Sequence, residues 1–185
     1  MDAAVAAAVA ALRAGGVIAY PTEAVFGLGC DPLNAGAVAK LFALKQRPAT
    51  QGVLLIAADF AQVEMYIDLA RMPADALARA RATWPGPHTW VFPRAPATPA
   101  WLAGAHLGIA LRVTAHASAA ELCRGFGGAL VSTSANRHGA PPAHNAAEVR
   151  AAFDDELAYI LDGPLGELAR PTPIRDAVSG ELLRG

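Results

Sequence analysis

Lys45-Gln46-Arg47-Pro48 places two cations on alternate residues at the end of a helical pattern, beside a proline that fixes the next turn. A triphosphate needs two neighbouring charges, because a leaving pyrophosphate gathers negative charge. Cations in the last turn of a helix equally complement its dipole. Val131-Ser132-Thr133-Ser134-Ala135-Asn136 sets three hydroxyls and an amide directly after an apolar run. In an open α/β sheet that is the carboxyl end of a strand, where ligands bind, and four small polar groups exceed what a Ser/Asn turn requires. Tyr20-Pro21-Thr22-Glu23-Ala24-Val25-Phe26-Gly27-Leu28-Gly29-Cys30 reads as a strand ending at proline, then polar side chains, then two glycines that let backbone approach a ligand. Pro32 stands where a dinucleotide fingerprint has its third glycine, so by itself the segment reads as a turn after an edge strand. Arg112 lies inside Ile109-Ala110-Leu111-Arg112-Val113. A charge there must face a partner or a solvated cleft. Spacing leaves a structural ion pair and a carboxylate receptor equally open.

These residues need elements to position them. Asp2 caps a first helix on which Val5, Val9 and Leu12 recur before Gly15-Gly16 ends it. Strands are predicted at 17–20, 53–56, 89–92, 109–113, 129–132, 158–161, 174–178 and 181–183, with 53–56 central. Asn34 caps a helix that carries Val38, Leu41, Phe42 and Lys45. Asp59 opens another, Pro73 begins one that runs through Ala82, and two more cover 116–126 and 146–153. Residues 93–99 read as a Pro-rich connector and 137–145 as a loop. Strands alternating with helices predict an α/β sheet covered by helices.

The 185 residues suit one domain. With 54% apolar residues and 17% charged, a disordered chain is excluded. A net charge of −1 gives no broad positive field for coating nucleic acid, although a local positive pocket remains open. Thirteen of the fifteen basic residues are arginines, a type suited to bidentate recognition of phosphate or carboxylate. Cys30 and Cys123 read as reduced thiols, and the five histidines show no metal-ligand spacing. There is no Walker loop and no nucleophile elbow. Trp84, Trp90 and Trp101 read as core and turn residues rather than a stacking platform. The alanine-rich N-terminus reads as an ordinary helix, not a secretion signal, and no apolar stretch is long enough to span a bilayer.

Taken together, Pro21-Thr22-Glu23, Lys45-x-Arg47-Pro48, Trp84-Pro85-Gly86-Pro87-x-Thr89, Leu111-Arg112-Val113, Ser132-Thr133-Ser134-Ala135-Asn136 and Ile174-Arg175-Asp176 resemble the YrdC-like family across almost the whole chain. The resemblance implies an α/β fold, namely an open twisted mixed sheet with flanking helices and a large concave positive cavity, in a single domain over residues 1–185. It implies a cytoplasmic nucleotidyltransferase that joins L-threonine, bicarbonate and ATP into threonylcarbamoyl-adenylate and pyrophosphate. The product serves threonylcarbamoyladenosine modification at tRNA position 37 and passes to a downstream tRNA threonylcarbamoyl transferase complex.

By that resemblance Thr22 and Arg112 hold threonine, with Thr133 and Thr172 nearby. Lys45, Arg47, Ser132, Ser134 and Asn136 line the ATP phosphates and the bicarbonate region, with Lys45, Arg47, Ser134 and Asn136 as the catalytic set. Arg184 approaches the nucleotide, and magnesium accompanies it, with no protein metal site. The chain departs from the family pattern at Gln51, where many relatives carry lysine, at Ile56, where longer relatives carry histidine, and at Thr172-Pro173. Changing Lys45 or Arg47 to Ala is expected to lower turnover with little loss of stability. The rival from another class is an RNA-binding module, for double-stranded or ribosomal RNA, that uses the same cavity. Nearer rivals are a carbamoyl-adenylate enzyme of the hydrogenase-maturation type and a relative that has lost the activity.

Overall fold

The computed structural model describes residues 2–168 and 172–184. Alanine, the strongest helix former, dominates α1 (Ala3–Arg13), which buries Val5, Ala8, Val9 and Leu12 at helical spacing. Asp2 stands at the N-cap position without a side-chain bond. Gly15 then turns the chain at φ 80°, in the left-handed region that favours glycine.

Among the described residues one nine-stranded sheet follows. Its strands are β1 (Ile18–Pro21), β2 (Phe26–Gly29), β3 (Leu54–Ala57), β4 (Thr89–Pro93), β5 (Gly108–Val113), β6 (Leu130–Ser134), β7 (Tyr159–Ile160), β8 (Ile174–Asp176) and β9 (Leu182–Arg184). Their order is β7-β1-β2-β6-β3-β5-β4-β8-β9. β1/β7, β3/β5 and β4/β8 pair parallel and the other neighbours antiparallel. The sheet is therefore mixed, with β3 at its centre as expected.

Six further helices flank it: α2 (Ala35–Lys45), α3 (Ala61–Glu64), α4 (Ala74–Arg81), α5 (Ala100–Ala103), α6 (Ala117–Phe126) and α7 (Ala146–Phe153). Asn34 caps α2 by accepting from the Ala37 N–H at 3.0 Å. His116, the N-cap of α6, accepts from the Ala119 N–H with its ring.

Two departures from the sequence reading bear on the site. The glycine segment is a strand, not a turn after an edge strand. Phe26, Leu28 and Cys30 alternate with Gly27 and Gly29, a period of two, and β2 pairs along β1 while β7 covers the outer side of β1. The hydroxyls of Ser132, Thr133 and Ser134 belong to β6 itself, held by the Gly27↔Ser134 and Leu28↔Thr133 pairs, rather than following it. α5 (Ala100–Ala103) falls just after the expected 93–99 connector, in a stretch where no element was predicted, and its Trp101 is exposed.

Alternation along the strands decides what each face carries. One face buries Phe26, Leu28, Leu55, Phe92, Ile109, Leu111 and Val131 against Val38 and Leu41 of α2, Ala76 and Ala80 of α4, and Val149 and Phe153 of α7. The opposite face is covered only in part. Val5, Val9 and Leu12 of α1 and Leu122 and Cys123 of α6 pack on Ile18, Tyr20, Ile56 and Leu130. Each large apolar side chain buried this way contributes about 2 kcal/mol. Farther along that face most side chains are short or polar, namely Gly27, Gly108, Ala110, Arg112, Ser132 and Ser134, with the half-buried Leu54 and Val91 between them, and together they open on a cavity.

Gly29 marks the border, because a β-carbon there would lie 2.7 Å from both Tyr20 Cε1 and the Val131 carbonyl oxygen. Gly29→Ala is expected to cost about 1–3 kcal/mol by overpacking, read as a lower urea midpoint with an unchanged slope.

Candidate active site

The cavity holds about 750 Å³, within the range of small-molecule sites. Its floor is the uncovered half of the sheet. Register sets Arg112 beside Ile56, Ser132 beside Leu54 and Ser134 beside Gly27. The sequence-selected Thr22, Arg47, Arg112, Ser132, Thr133, Ser134, Thr172 and Arg184 all line it. Lys45 and Asn136 stand behind the wall rather than on it.

Arg112 is buried, and four of its five N–H groups are taken. Nη1 donates to Glu23 Oε2 at 3.1 Å, Nε and Nη2 donate to Thr89 Oγ1 at 3.0 and 2.9 Å, and Nη2 also donates to the Thr172 hydroxyl. One Nη1 proton is left for a ligand. Glu23 Oε1 accepts from Thr114 Oγ1 at 2.5 Å. Burial lowers the Arg112 pKa, and the Glu23 carboxylate beside it works against that shift. Of the two roles left open by the sequence, the ion pair is present, and the guanidinium also lines the cavity. Thr22 donates its hydroxyl to the Val25 carbonyl at 2.7 Å, which leaves only oxygen lone pairs for a ligand. Thr172 accepts from Arg112, and among the described residues its own proton has no acceptor.

Arg47 is shaped by the loop after α2. Gln46 caps that helix at φ 53°, the one left-handed non-glycine among the described residues, at a cost of about 1 kcal/mol. This reversal sends Lys45 and Arg47 in different directions. Arg47 Nη2 donates to the carbonyls of Gly52 at 2.9 Å and Gln51 at 3.2 Å, Nη1 donates to Thr133 Oγ1 at 3.4 Å, and buried Nε has no acceptor. The loop is clamped from outside: Val53 N–H donates to the Leu102 carbonyl and Ala105 N–H to the Thr50 carbonyl. Gly52 and Gly104, at φ 61° and 60°, pack there so closely that a β-carbon on either would meet backbone below 3 Å. Burial lowers the Arg47 pKa first, and Arg184 adds to it. Neither Arg47 nor Arg184 forms an ion pair among the described residues.

Lys45 departs from the expected free phosphate ligand. Nζ donates to the Ser134 carbonyl at 2.5 Å, the Asn136 carbonyl at 2.8 Å and Asn136 Oδ1 at 3.2 Å. Ser134 Oγ donates to the same Asn136 Oδ1 at 2.6 Å. All three ammonium protons thus hold the Ser134-x-Asn136 turn, and the expected indifference of stability to Lys45→Ala does not hold, because two carbonyls would lose a donor.

Glu23, Thr89, Thr114 and Gln46 were not singled out from sequence. A buried Arg112 demanded an acceptor, and Glu23 was already within the quoted Pro21-Thr22-Glu23 segment. Thr89 likewise closed the quoted Trp84-Pro85-Gly86-Pro87-x-Thr89 segment without a role, whereas nothing local marks Thr114, whose relevance arises from its bond to Glu23.

Burial, then the Arg47 charge, pushes the Lys45 ammonium down to about 8. An unfolded lysine titrates near 10.4. Between about pH 8 and pH 10.5 the unfolded chain therefore holds the extra proton, and this group makes stability rise with pH across that window. Urea unfolding at about pH 8 and about pH 10 should show that increment in the wild type and lose it in Lys45→Met.

The chain matches the Sua5_yciO_yrdC family, described as telomere recombination, over residues 10–185. It is 56% identical over 178 residues to the threonylcarbamoyl-AMP synthase of Stenotrophomonas maltophilia, covering 96% of this chain and 95% of the relative. It is 52% identical over 179 residues to the enzyme of that name from Coxiella burnetii, covering 96% and 94%. Among solved structures, P. abyssi Sua5 complexed with L-threonine superposes with a TM-score of 0.86 at 31% identity, covering 93% of this chain. The match spans half the length of that protein. E. coli YciO, at 24% identity and a TM-score of 0.80, shares the fold over 98% of this chain and 90% of its own. The chain belongs to the Sua5/YciO/YrdC family.

Proposed function

We propose that the chain is a single-domain L-threonylcarbamoyladenylate synthase, which makes threonylcarbamoyl-AMP and pyrophosphate from L-threonine, bicarbonate and ATP. The observation that carries this reading is one cavity whose floor holds Arg112 with a proton to spare, between two threonine hydroxyls, while Arg47 and Arg184 bring unpaired positive charge to its wall. An amino acid and a polyanion fit there together. Relatives that share more than half of their residues with this chain carry the synthase name, and a structural relative binds L-threonine.

The free Nη1 proton of Arg112 and the Thr172 hydroxyl receive the threonine carboxylate, and Thr22 Oγ1 accepts from the amino group. The amine nitrogen bonds to the bicarbonate carbon and water departs, leaving a carbamate. A carbamate oxygen then attacks the α-phosphorus, the bond to the bridging oxygen breaks, and pyrophosphate leaves. No covalent nucleophile is required, because positioning and charge neutralisation lower such a barrier. Arg47 and Arg184 neutralise the phosphates, and Ser132, Thr133 and Ser134 orient the carbamate. Lys45 and Asn136 keep that strand end in place.

Among the described residues no three His, Cys, Asp or Glu stand together as metal ligands. Magnesium, which keeps waters and binds phosphate oxygens readily, would therefore be carried by the nucleotide itself. No helix among the described residues is long and apolar enough to cross a membrane, which suits work in the cytoplasm beside a transferase complex that modifies tRNA.

Purified protein should release pyrophosphate from ATP only when both L-threonine and bicarbonate are present. Arg47→Ala should lower turnover by about 10²-fold, the scale of one lost electrostatic contact to the transition state. No release under any combination, together with RNA binding that falls steeply with salt, would replace the synthase by the RNA-binding reading.

A further inference from the structure

Tyr20 is fully buried at the border between the helix-covered half of the sheet and the open half. Its ring occupies the space that Gly29 leaves free, with a would-be β-carbon 2.7 Å from Cε1 and 3.3 Å from the hydroxyl. That hydroxyl has no hydrogen-bond partner among the described residues. It lies against Ser132, near Arg112 and Glu23, but the two hydroxyls are not aligned into a bond. Burial pushes the phenol pKa above its ordinary range, so it stays neutral and keeps its proton.

A buried hydroxyl without a partner costs free energy that phenylalanine in the same slot would not. Nothing in the packing needs the oxygen, since the ring alone fills the slot over Gly29. What the oxygen faces is functional: Ser132 lines the cavity floor, and Gly27 beside it carries no side chain that would screen Ser132 Oγ.

We propose that Tyr20 is a positioning residue for the adenylation step, its hydroxyl donating to Ser132 Oγ once substrate is bound. Ser132 then has one direction left for its own proton, outward to the carbamate oxygens. Tyr20 itself touches no substrate. The proposal rests on the synthase reading above and deepens it by giving Ser132 a fixed donor geometry. It also gives a partner to an oxygen that has none among the described residues.

The test is steady-state pyrophosphate release with thermal unfolding on wild type, Tyr20→Phe, Ser132→Ala and the double variant. Tyr20→Phe should lower kcat about tenfold, the effect of about one hydrogen bond in the transition state. KM for ATP and for threonine should stay within about twofold, because no substrate contact is removed. Its Tm should equal or exceed that of wild type, because only an unsatisfied hydroxyl is lost. The double variant should be no slower than Ser132→Ala alone, since the two act as a unit. Wild-type kcat in Tyr20→Phe overturns the proposal. So does a fall in kcat with a lowered Tm, which is the mark of a structural role, or a double variant slower than Ser132→Ala. Absence of threonine- and bicarbonate-dependent release by the wild type itself refutes the synthase reading, and the proposal with it, on a protein in which Tyr20 is intact.

Discussion

A sheet of nine strands offers more surface on its second face than the pair α1 and α6 can cover, and that mismatch shapes the molecule. Bare sheet cannot be lined with large apolar side chains without exposing them to water. Along the uncovered half the chain places mostly Gly27, Gly108, Ala110, Ser132 and Ser134, with Leu54 and Val91 only half-buried among them, while the alternate positions of the same strands carry Phe26, Leu28, Ile109, Leu111 and Val131 into the opposite core. One strand thus serves packing on one side and the cavity on the other. A shift of register by one residue would exchange the two sets.

Charge then has to be kept in that half-dry space. Arg112 stays at the floor because Glu23, Thr89 and Thr172 satisfy most of its donors, and because Thr114 in turn fixes Glu23. Removing one partner of such a buried pair costs about 3–5 kcal/mol, so the site and the stability of the fold are tied together at this point. Lys45 follows the same logic from behind the wall. Its ammonium is consumed in holding the Ser134-x-Asn136 turn, which presents the hydroxyls of β6 to the cavity. The left-handed Gln46 separates the two cations of the Lys45-x-Arg47 motif, one turned inward and one lining the cavity.

Much of this was legible in the sequence because it is local. Helix caps such as Asn34, the apolar runs of β3 and β5, and the hydroxyl-rich end of β6 each announce themselves within a few residues. The β2 strand was not recognised because glycine at every second position reads as a turn until the partner strand is known. Its alternation of Phe26, Leu28 and Cys30 was the signal. The partners of Arg112 come from three separated segments, at Glu23, Thr89 and Thr172, brought together only by the fold. Sequence could demand a counter-charge for Arg112 but could not choose Glu23 over another carboxylate. The structural role of Lys45 was hidden for the same reason: its acceptors lie about ninety residues away along the chain.

The central claim is that Arg112, held by Glu23 on an uncovered sheet face, receives the carboxylate of an amino-acid substrate. Calorimetric titration of the protein with L-threonine and, in parallel, with L-threoninamide tests it most directly, since the amide keeps the side chain and amine but lacks the anion. Saturable binding of threonine with loss of most affinity for the amide is the predicted result. Equal binding of the two would contradict the account, because the free Arg112 donor would then have no part in recognising the substrate.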